Sequence, residues 1–337
     1  MKRVAILSGA MWSATGGGQR YEQIARKLKN FLPSDTKIEF FSFLPYTTPS
    51  QFFPSGDPRY DVVIVGFPSF YKTGGWKEVL QLSHRCLLVY DICDFWRGNE
   101  MIEGSNLVED DDELARDAQL LVAVNPSLIS HYLHLQKPFY IIPNGLRDEF
   151  LQEWKFPIDS TVHCYWWGSY YRGQTWLDVE ALIELPKRFP QIRFHYFFAT
   201  DIVTEDFFRN LPNVDFRGSP QGIPMDEILK EIRLPAIGLV PFKPFNTAAF
   251  HADPIKIYEY WALGFHVVAT NCWSSLGQRT TVHLCFGSVV EQVSAAISSI
   301  LSSGNLLVEP PSYEEKLMFS WTERARTYAS VLQSFIV

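Results

Sequence analysis

Lys256 and Glu259 stand three residues apart in DPIKIYEYWALGFHVVAT, residues 253–270. That is one turn of a helix, so the two charges share a face. An ammonium at the start of such a helix holds an anion such as a diphosphate. A carboxylate one turn deeper accepts hydrogen bonds from two adjacent hydroxyls, as on a ribose. The same spacing also describes a plain ion pair, worth only ~0.2–0.5 kcal/mol. Tyr258, Tyr260, Trp261, Ala262 and Leu263 surround the pair with bulk, and an unliganded buried pair is a poor source of stability. The ligand reading is the favoured one, with Ile257 between the two charges. Pro254 suits the first turn of the helix, and either His251 or Asp253 caps it.

Three further constellations end predicted strands. After RVAILSG, the loop runs into Gly16, Gly17 and Gly18 and then a helix. A glycine turn at a helix N-terminus exposes backbone N–H groups to a phosphate, or is simply a tight turn. It is not a dinucleotide fingerprint, because the glycines are contiguous and no acidic residue ends the next strand. No G-K-[ST] follows it either. In YDICDFWRG, Asp91 and Asp94 follow an apolar run. Either accepts a proton or a sugar hydrogen bond, or caps the next element; Asp94, beside Trp96 and Arg97, is the stronger candidate. In WWGSYYRG, Ser169 and Arg172 follow a strand, and Arg172 suits a phosphate. The run EDDDE at 109–113 opens a helix and reads as a solvated face.

The elements that position these residues alternate. Short apolar strands are predicted at 3–9, 37–43, 61–67, 85–91, 119–125 and 139–145, then at 162–168, 192–198, 213–218, 236–242 and 266–270. Amphipathic helices lie between them, as at 17–31. This is the pattern of α/β domains with parallel sheets. The segment 151–161 reads as a linker, and 312–336 as one closing helix. The chain is therefore predicted to form two Rossmann-like domains facing across a cleft, one of 1–155 and one of 156–319. Ligands of such sheets bind beyond the carboxyl ends of the strands.

Composition narrows the function. The 337 residues carry a net charge of −7, which argues against nucleic acid as the main partner. The five cysteines form no C-x-x-C pair, as expected of reduced thiols in a cytoplasmic protein. The N-terminal apolar run is too short for a signal peptide, and no stretch reaches the ~20 apolar residues of a membrane span. Aromatic residues make up 15% of the chain, which supplies bulky core and, at a few sites, stacking surfaces for sugars or bases.

Taken in order, GGGQR, FYIIPNGL, GSYYRG, LPNVDFRG and DPIKIYEYWALGFHVVAT resemble the GT-B glycosyltransferases of the large bacterial family 4 type. FSWTERARTYASVL near the end resembles their closing helix, so the resemblance assigns 320–337 to the N-terminal domain. It implies transfer of a sugar from a UDP-, GDP- or ADP-sugar to a glycan, lipid-linked or small-molecule acceptor, without metal or cofactor. Acceptors of that kind imply peripheral contact with the inner membrane face. By the same resemblance the N-terminal domain binds the acceptor and the C-terminal domain the donor. Glu259 holds the ribose, Lys256 and Arg172 the diphosphate, and Gly16 to Gly18 line the diphosphate and sugar side. Asp91 or Asp94 faces the acceptor. The sequence departs from the family at four places. His251 stands where Glu is common, Ser169 where Arg is usual, Arg172 where Lys is usual, and Arg147 in PNGLR where Asp is common.

The implied chemistry is stabilisation of the leaving diphosphate by Lys256, Arg172 and backbone N–H groups. A retaining enzyme passes the acceptor proton to a diphosphate oxygen; an inverting one needs a carboxylate base such as Asp94. The same architecture also hosts nucleotide-sugar epimerases, sugar phosphorylases and non-catalytic binding modules.

Overall fold

A computed structural model describes residues 3–8, 20–42, 60–66, 68, 86–95, 107–170, 175–200, 205–208, 210–244 and 246–335. The chain divides into two compact units. One takes in the described residues up to Gly145 together with Trp321–Phe335; the other spans Leu146–Ser320.

Unit 1 is a parallel sheet built from β1 (Arg3–Ser8), β2 (Lys37–Ser42), β3 (Val62–Val65), β4 (Leu87–Ile92), β5 (Leu120–Ala123) and β6 (Phe139–Ile141). The strand order is β2-β1-β3-β4-β5-β6. All four residues of β3 (VVIV) and of β5 (LLVA) are buried. Such unbroken apolar runs suit a parallel sheet covered on both faces. Helix α1 (Arg20–Leu28) packs against β1 and against the last helix of the chain.

Unit 2 holds the second parallel sheet, with β7 (Ile158–Ser169), β8 (Arg193–Ala199), β9 (Val214–Ser219), β10 (Leu234–Pro241), β11 (His266–Thr270) and β12 (Val282–Cys285). Its order is β12-β11-β10-β7-β8-β9. The period of two along β7 separates two cores. Tyr165 and Trp167 belong with Ile257, Tyr258 and Tyr260 of one helix, whereas Cys164 and Trp166 belong with Leu182, Leu185, Val293 and Ile297 of others. The second face thus carries α3 (Val179–Arg188) and α6 (Val289–Ser303), and the first carries α4 (Met225–Glu231) and α5 (Ile255–Ala262). Helix α2 (Leu107–Asp117) lies in unit 1.

Four sequence readings change. Strand β12, only VHLC, was not predicted; it completes the sheet by pairing in parallel with β11. The closing helix is two helices, α7 (Tyr313–Met318) and α8 (Trp321–Phe335). Ser320 between them is fully buried and bridges to Leu146, so the helix breaks where the chain passes from unit 2 to unit 1. The residues 146–155 group with unit 2, not with the first domain, because Leu146 and Phe150 are buried in its core. The acidic run is not wholly solvated. Asp110 and Asp111 are buried, and Asp111 accepts hydrogen bonds from the hydroxyls of Tyr90 and Tyr132. A helix face that buries Leu114 and Ala115 also carries these two aspartates inward.

Among the described residues no helix is long and apolar enough to cross a membrane. Helix α8 joins unit 1: Gln333 Nε2 donates to the Phe31 carbonyl at 3.0 Å, and Arg324 Nε to the Asn144 carbonyl at 3.1 Å.

Unit 2 also buries a histidine pair at its sheet. His163 Nδ1 and His195 Nε2 lie 2.9 Å apart, and Tyr165 stacks on His195. Burial first, and then His163, push the His195 pKa down to about 4 against the opposing pull of Asp215. The folded state therefore holds His195 neutral while the unfolded chain protonates it near 6.5. Stability from this group is complete above pH 6.5 and is lost as the pH falls toward 4, by at most about 1.4 kcal/mol per pH unit for one proton. Urea titrations between pH 7.5 and 4.5 should show this slope, and His195→Gln should flatten it; an unchanged slope in the variant refutes the assignment.

Candidate functional site

Helix α5 sets the geometry of unit 2's polar cluster. Pro254 is its N-cap residue and makes no side-chain cap, so neither His251 nor Asp253 fills that role. Asp253 is instead buried and accepts from the Tyr258 hydroxyl at 2.9 Å. The helix ends at Gly264, whose φ of +76° suits glycine, and where a Cβ would sit 2.9 Å from Pro310. Ile257, read as part of the binding residues, is fully buried in the core.

Glu259 is 4% exposed and fully engaged on one oxygen. Arg147 donates to Oε1 through Nε at 2.9 Å, and its Nη2 stands 2.8 Å from the same oxygen. Trp167 Nε1 donates to Oε2 at 2.8 Å. Arg147 is itself buried, lies against Phe150, and has Glu149 Oε1 at 2.9 Å from Nη1. Trp167 arrives from β7, and the Tyr260 hydroxyl accepts from its backbone N–H at 3.2 Å. A carboxylate removed from water needs such compensation, and here two hydrogen bonds and the guanidinium charge give it.

Lys256 lies one turn earlier and has no hydrogen bond or ion pair among the described residues. Burial lowers its pKa below that of an ordinary lysine; Glu259 opposes the shift and Arg147 adds to it. Its alkyl chain runs over the end of β7. A Cβ placed on Gly168 would stand 2.5 Å from Lys256 Cε and 2.9 Å from Nζ. Gly168 is glycine because the lysine needs that space. Ser169, the last residue of β7, is half-buried beside it. Arg147 is shared between Glu259 and Glu149, and Lys256 is the charged member of the cluster with no hydrogen bond or ion pair among the described residues, which leaves its ammonium open to an anion.

His251 is half-buried and meets the exposed ring of Phe250 edge-on, and Phe250 in turn touches exposed Phe286. Gly16, Gly17, Gly18 and Arg172 lie outside the described residues. The cluster thus brings together Lys256 and Glu259 as the spacing predicts, and adds Arg147 and Trp167, to which sequence reading gave no role. The signal for Arg147 was its charge: an arginine in a predicted buried strand-end segment needs an acidic partner.

In unit 1, Asp91 is fully buried inside β4 and paired with Arg20, whose Nε lies 3.0 and 3.1 Å from its two oxygens. Arg20 also reaches the Pro143 carbonyl at 3.3 Å. Burial works to lower the arginine pKa, but Asp91 overrides it and the net shift is upward. The reading of Asp91 as a substrate-facing base gives way to that of an internal tie between α1 and β4. Asp94 is the exposed one of the two. Asp91→Ala should cost about 3–5 kcal/mol in a denaturant titration, because it strands the Arg20 charge. Asp94→Ala should stay within ~0.5 kcal/mol, so equal losses in both variants contradict this division of roles.

No protein-family model matches the sequence, and no curated protein matches it significantly. Solved structures match over nearly the whole chain. HepE from Anabaena in complex with UDP aligns at a TM-score of 0.63 and 14% identity, covering 99% of this chain and 100% of its own. The lipopolysaccharide outer core galactosyltransferase WaaB, in its apo form, aligns at 0.65 and 13%, with 99% of each chain covered. An E. coli structure described as trehalose-6-phosphate bound with UDP-2-fluoro glucose aligns at 0.69 and 9%, covering 98% and 99%. Each matches two parallel six-stranded sheets with interleaved helices, and the chain has the GT-B fold.

Proposed function

We propose that the chain is a glycosyltransferase that moves a sugar, a hexose in the first instance, from a nucleotide diphosphate sugar to a hydroxyl of a glycan, lipid-linked or small-molecule acceptor. Support comes foremost from the unpaired ammonium of Lys256 beside the buried carboxylate of Glu259, at the carboxyl end of β7. The UDP and UDP-2-fluoro glucose carried by two of the structural neighbours favour a uridine donor. Unit 2 binds the donor in this reading, and unit 1 the acceptor. An acceptor carried on lipid brings the protein to a membrane surface from the cytoplasm.

The reaction breaks the bond from the anomeric carbon to the diphosphate and forms one to the acceptor oxygen. Charge builds on the departing diphosphate as the first bond lengthens. Lys256, protonated and held over Gly168, neutralises it without a metal ion. The acceptor proton goes to a diphosphate oxygen if configuration is retained, which is the proposed course, or to Asp94 if it is inverted. Anion binding favours the charged amine, so affinity for the donor falls as the pH rises through the lowered Lys256 pKa.

Thermal melting with UDP-, GDP- and ADP-sugars tests the reading directly, since a ligand of the native state raises apparent stability. No shift with any of them overturns it. With the substrate found, Lys256→Ala should lose a charge-assisted hydrogen bond and slow turnover by roughly 10- to 150-fold. Incubation without acceptor separates transfer from epimerisation, and NMR of the new anomeric centre reads its configuration.

A further inference from the structure

Glu259 is the acidic group of the candidate site, yet most of its hydrogen-bonding capacity is already used. A carboxylate offers about four acceptor positions, two on each oxygen. Arg147 covers Oε1, donating a hydrogen bond through Nε at 2.9 Å and holding Nη2 in ion-pair contact at 2.8 Å from the same oxygen. Trp167 Nε1 takes one position of Oε2 at 2.8 Å. No further hydrogen bond among the described residues reaches either carboxylate oxygen. One position on Oε2 is left, and the 5% side-chain exposure of Glu259 is consistent with a single opening.

Arg147 is built to stay where it is. Its side chain is 4% exposed, its guanidinium lies 5.1 Å from the centre of the Phe150 ring, and Glu149 adds a second carboxylate at 2.9 Å. Withdrawing it to free Oε1 would strand two buried charges of opposite sign.

We propose that Arg147 is a specificity-determining positioning residue. By covering Oε1 with two guanidinium nitrogens it leaves Oε2 as the open oxygen of Glu259, so a nucleotide's ribose is held there through one hydroxyl and not through two. This rests on the nucleotide-sugar reading above. It makes one of the 2′- and 3′-hydroxyls dispensable, and it opens the site to nucleotides that lack that hydroxyl.

Calorimetric titration of the full-length protein with UDP, 2′-deoxy-UDP and 3′-deoxy-UDP tests the inference. If melting selects another base, its three nucleotides replace these. One deoxy analogue should bind within about 3-fold of the parent. The other should bind roughly 10- to 150-fold more weakly, the worth of a hydrogen bond to a charged acceptor. Losses of 10-fold or more for both analogues overturn the proposal, because Glu259 then accepts from both hydroxyls despite Arg147. Equal binding of all three also overturns it, since Glu259 then touches neither. Arg147→Lys keeps the charge but brings one nitrogen to Oε1 in place of two, and should make the tolerated analogue weaker by 10-fold or more as well. A purely structural role for Arg147 lowers all three affinities together and keeps their ratios, which contradicts the proposal. If that variant does not fold, the wild-type titrations still decide. Failure of every nucleoside diphosphate to bind the wild type overturns the functional reading itself, a result distinct from binding with the wrong hydroxyl pattern.

Discussion

A carboxylate cannot be left alone in a protein interior, and the architecture of unit 2 around α5 follows from that constraint. Glu259 is nearly inaccessible. Its charge is balanced by an arginine from the segment just after the chain enters unit 2 and by an indole N–H from the central strand β7. These partners lie 112 and 92 residues away in sequence. The ion pair therefore works as a fastener between the entry segment, the sheet and the helix. Its stability need not exceed that of an apolar alternative. Its consequence is geometric: Glu259 is held by Arg147 and Trp167, and Lys256 is left with no hydrogen bond or ion pair among the described residues.

Unit 1 solves a similar problem with the opposite outcome. Asp91 and Arg20 form a buried pair between strand and helix, and Asp111 is satisfied by two tyrosine hydroxyls. These acids are spent on internal ties. They stabilise the unit because removal of either partner strands the other, but they leave no charge for a ligand. The difference between the units lies in one cation: Arg20 of unit 1 is paired with Asp91, whereas Lys256 on α5 has no hydrogen bond or ion pair among the described residues.

The sequence made the sheets legible because each strand is an apolar run bounded by polar or glycine residues, and a parallel strand buried on both faces has that form. Strand β12 escaped because VHLC is four residues long and only partly buried. The closing helix read as continuous because the helical period runs through Phe319 and Ser320; the break comes from the bridge of Ser320 to Leu146, a contact 174 positions away that no local pattern encodes. The candidate site was half legible. Spacing alone puts Lys256 and Glu259 on one face. It cannot tell that Asp91 lies within β4 and not at its end, nor that Arg147 points at Glu259. Both are questions of which residue meets which across the fold.

The arrangement of Lys256 shows why such long-range facts matter for function. An ammonium with an adjacent free carboxylate gains its counter-ion from the protein and has little need of another. Here the adjacent carboxylate is already matched by Arg147, so Lys256 bears the cost of burial without a hydrogen-bonding partner, and its lowered pKa is the measure of that cost. Gly168 gives the amine room but no acceptor side chain. A site in this condition is poised toward anions: a dianionic group that docks there relieves the desolvation and restores the proton affinity of the lysine. Arg147 therefore acts on Lys256 as well as on Glu259. It matches Glu259 and leaves the cation beside it for the ligand.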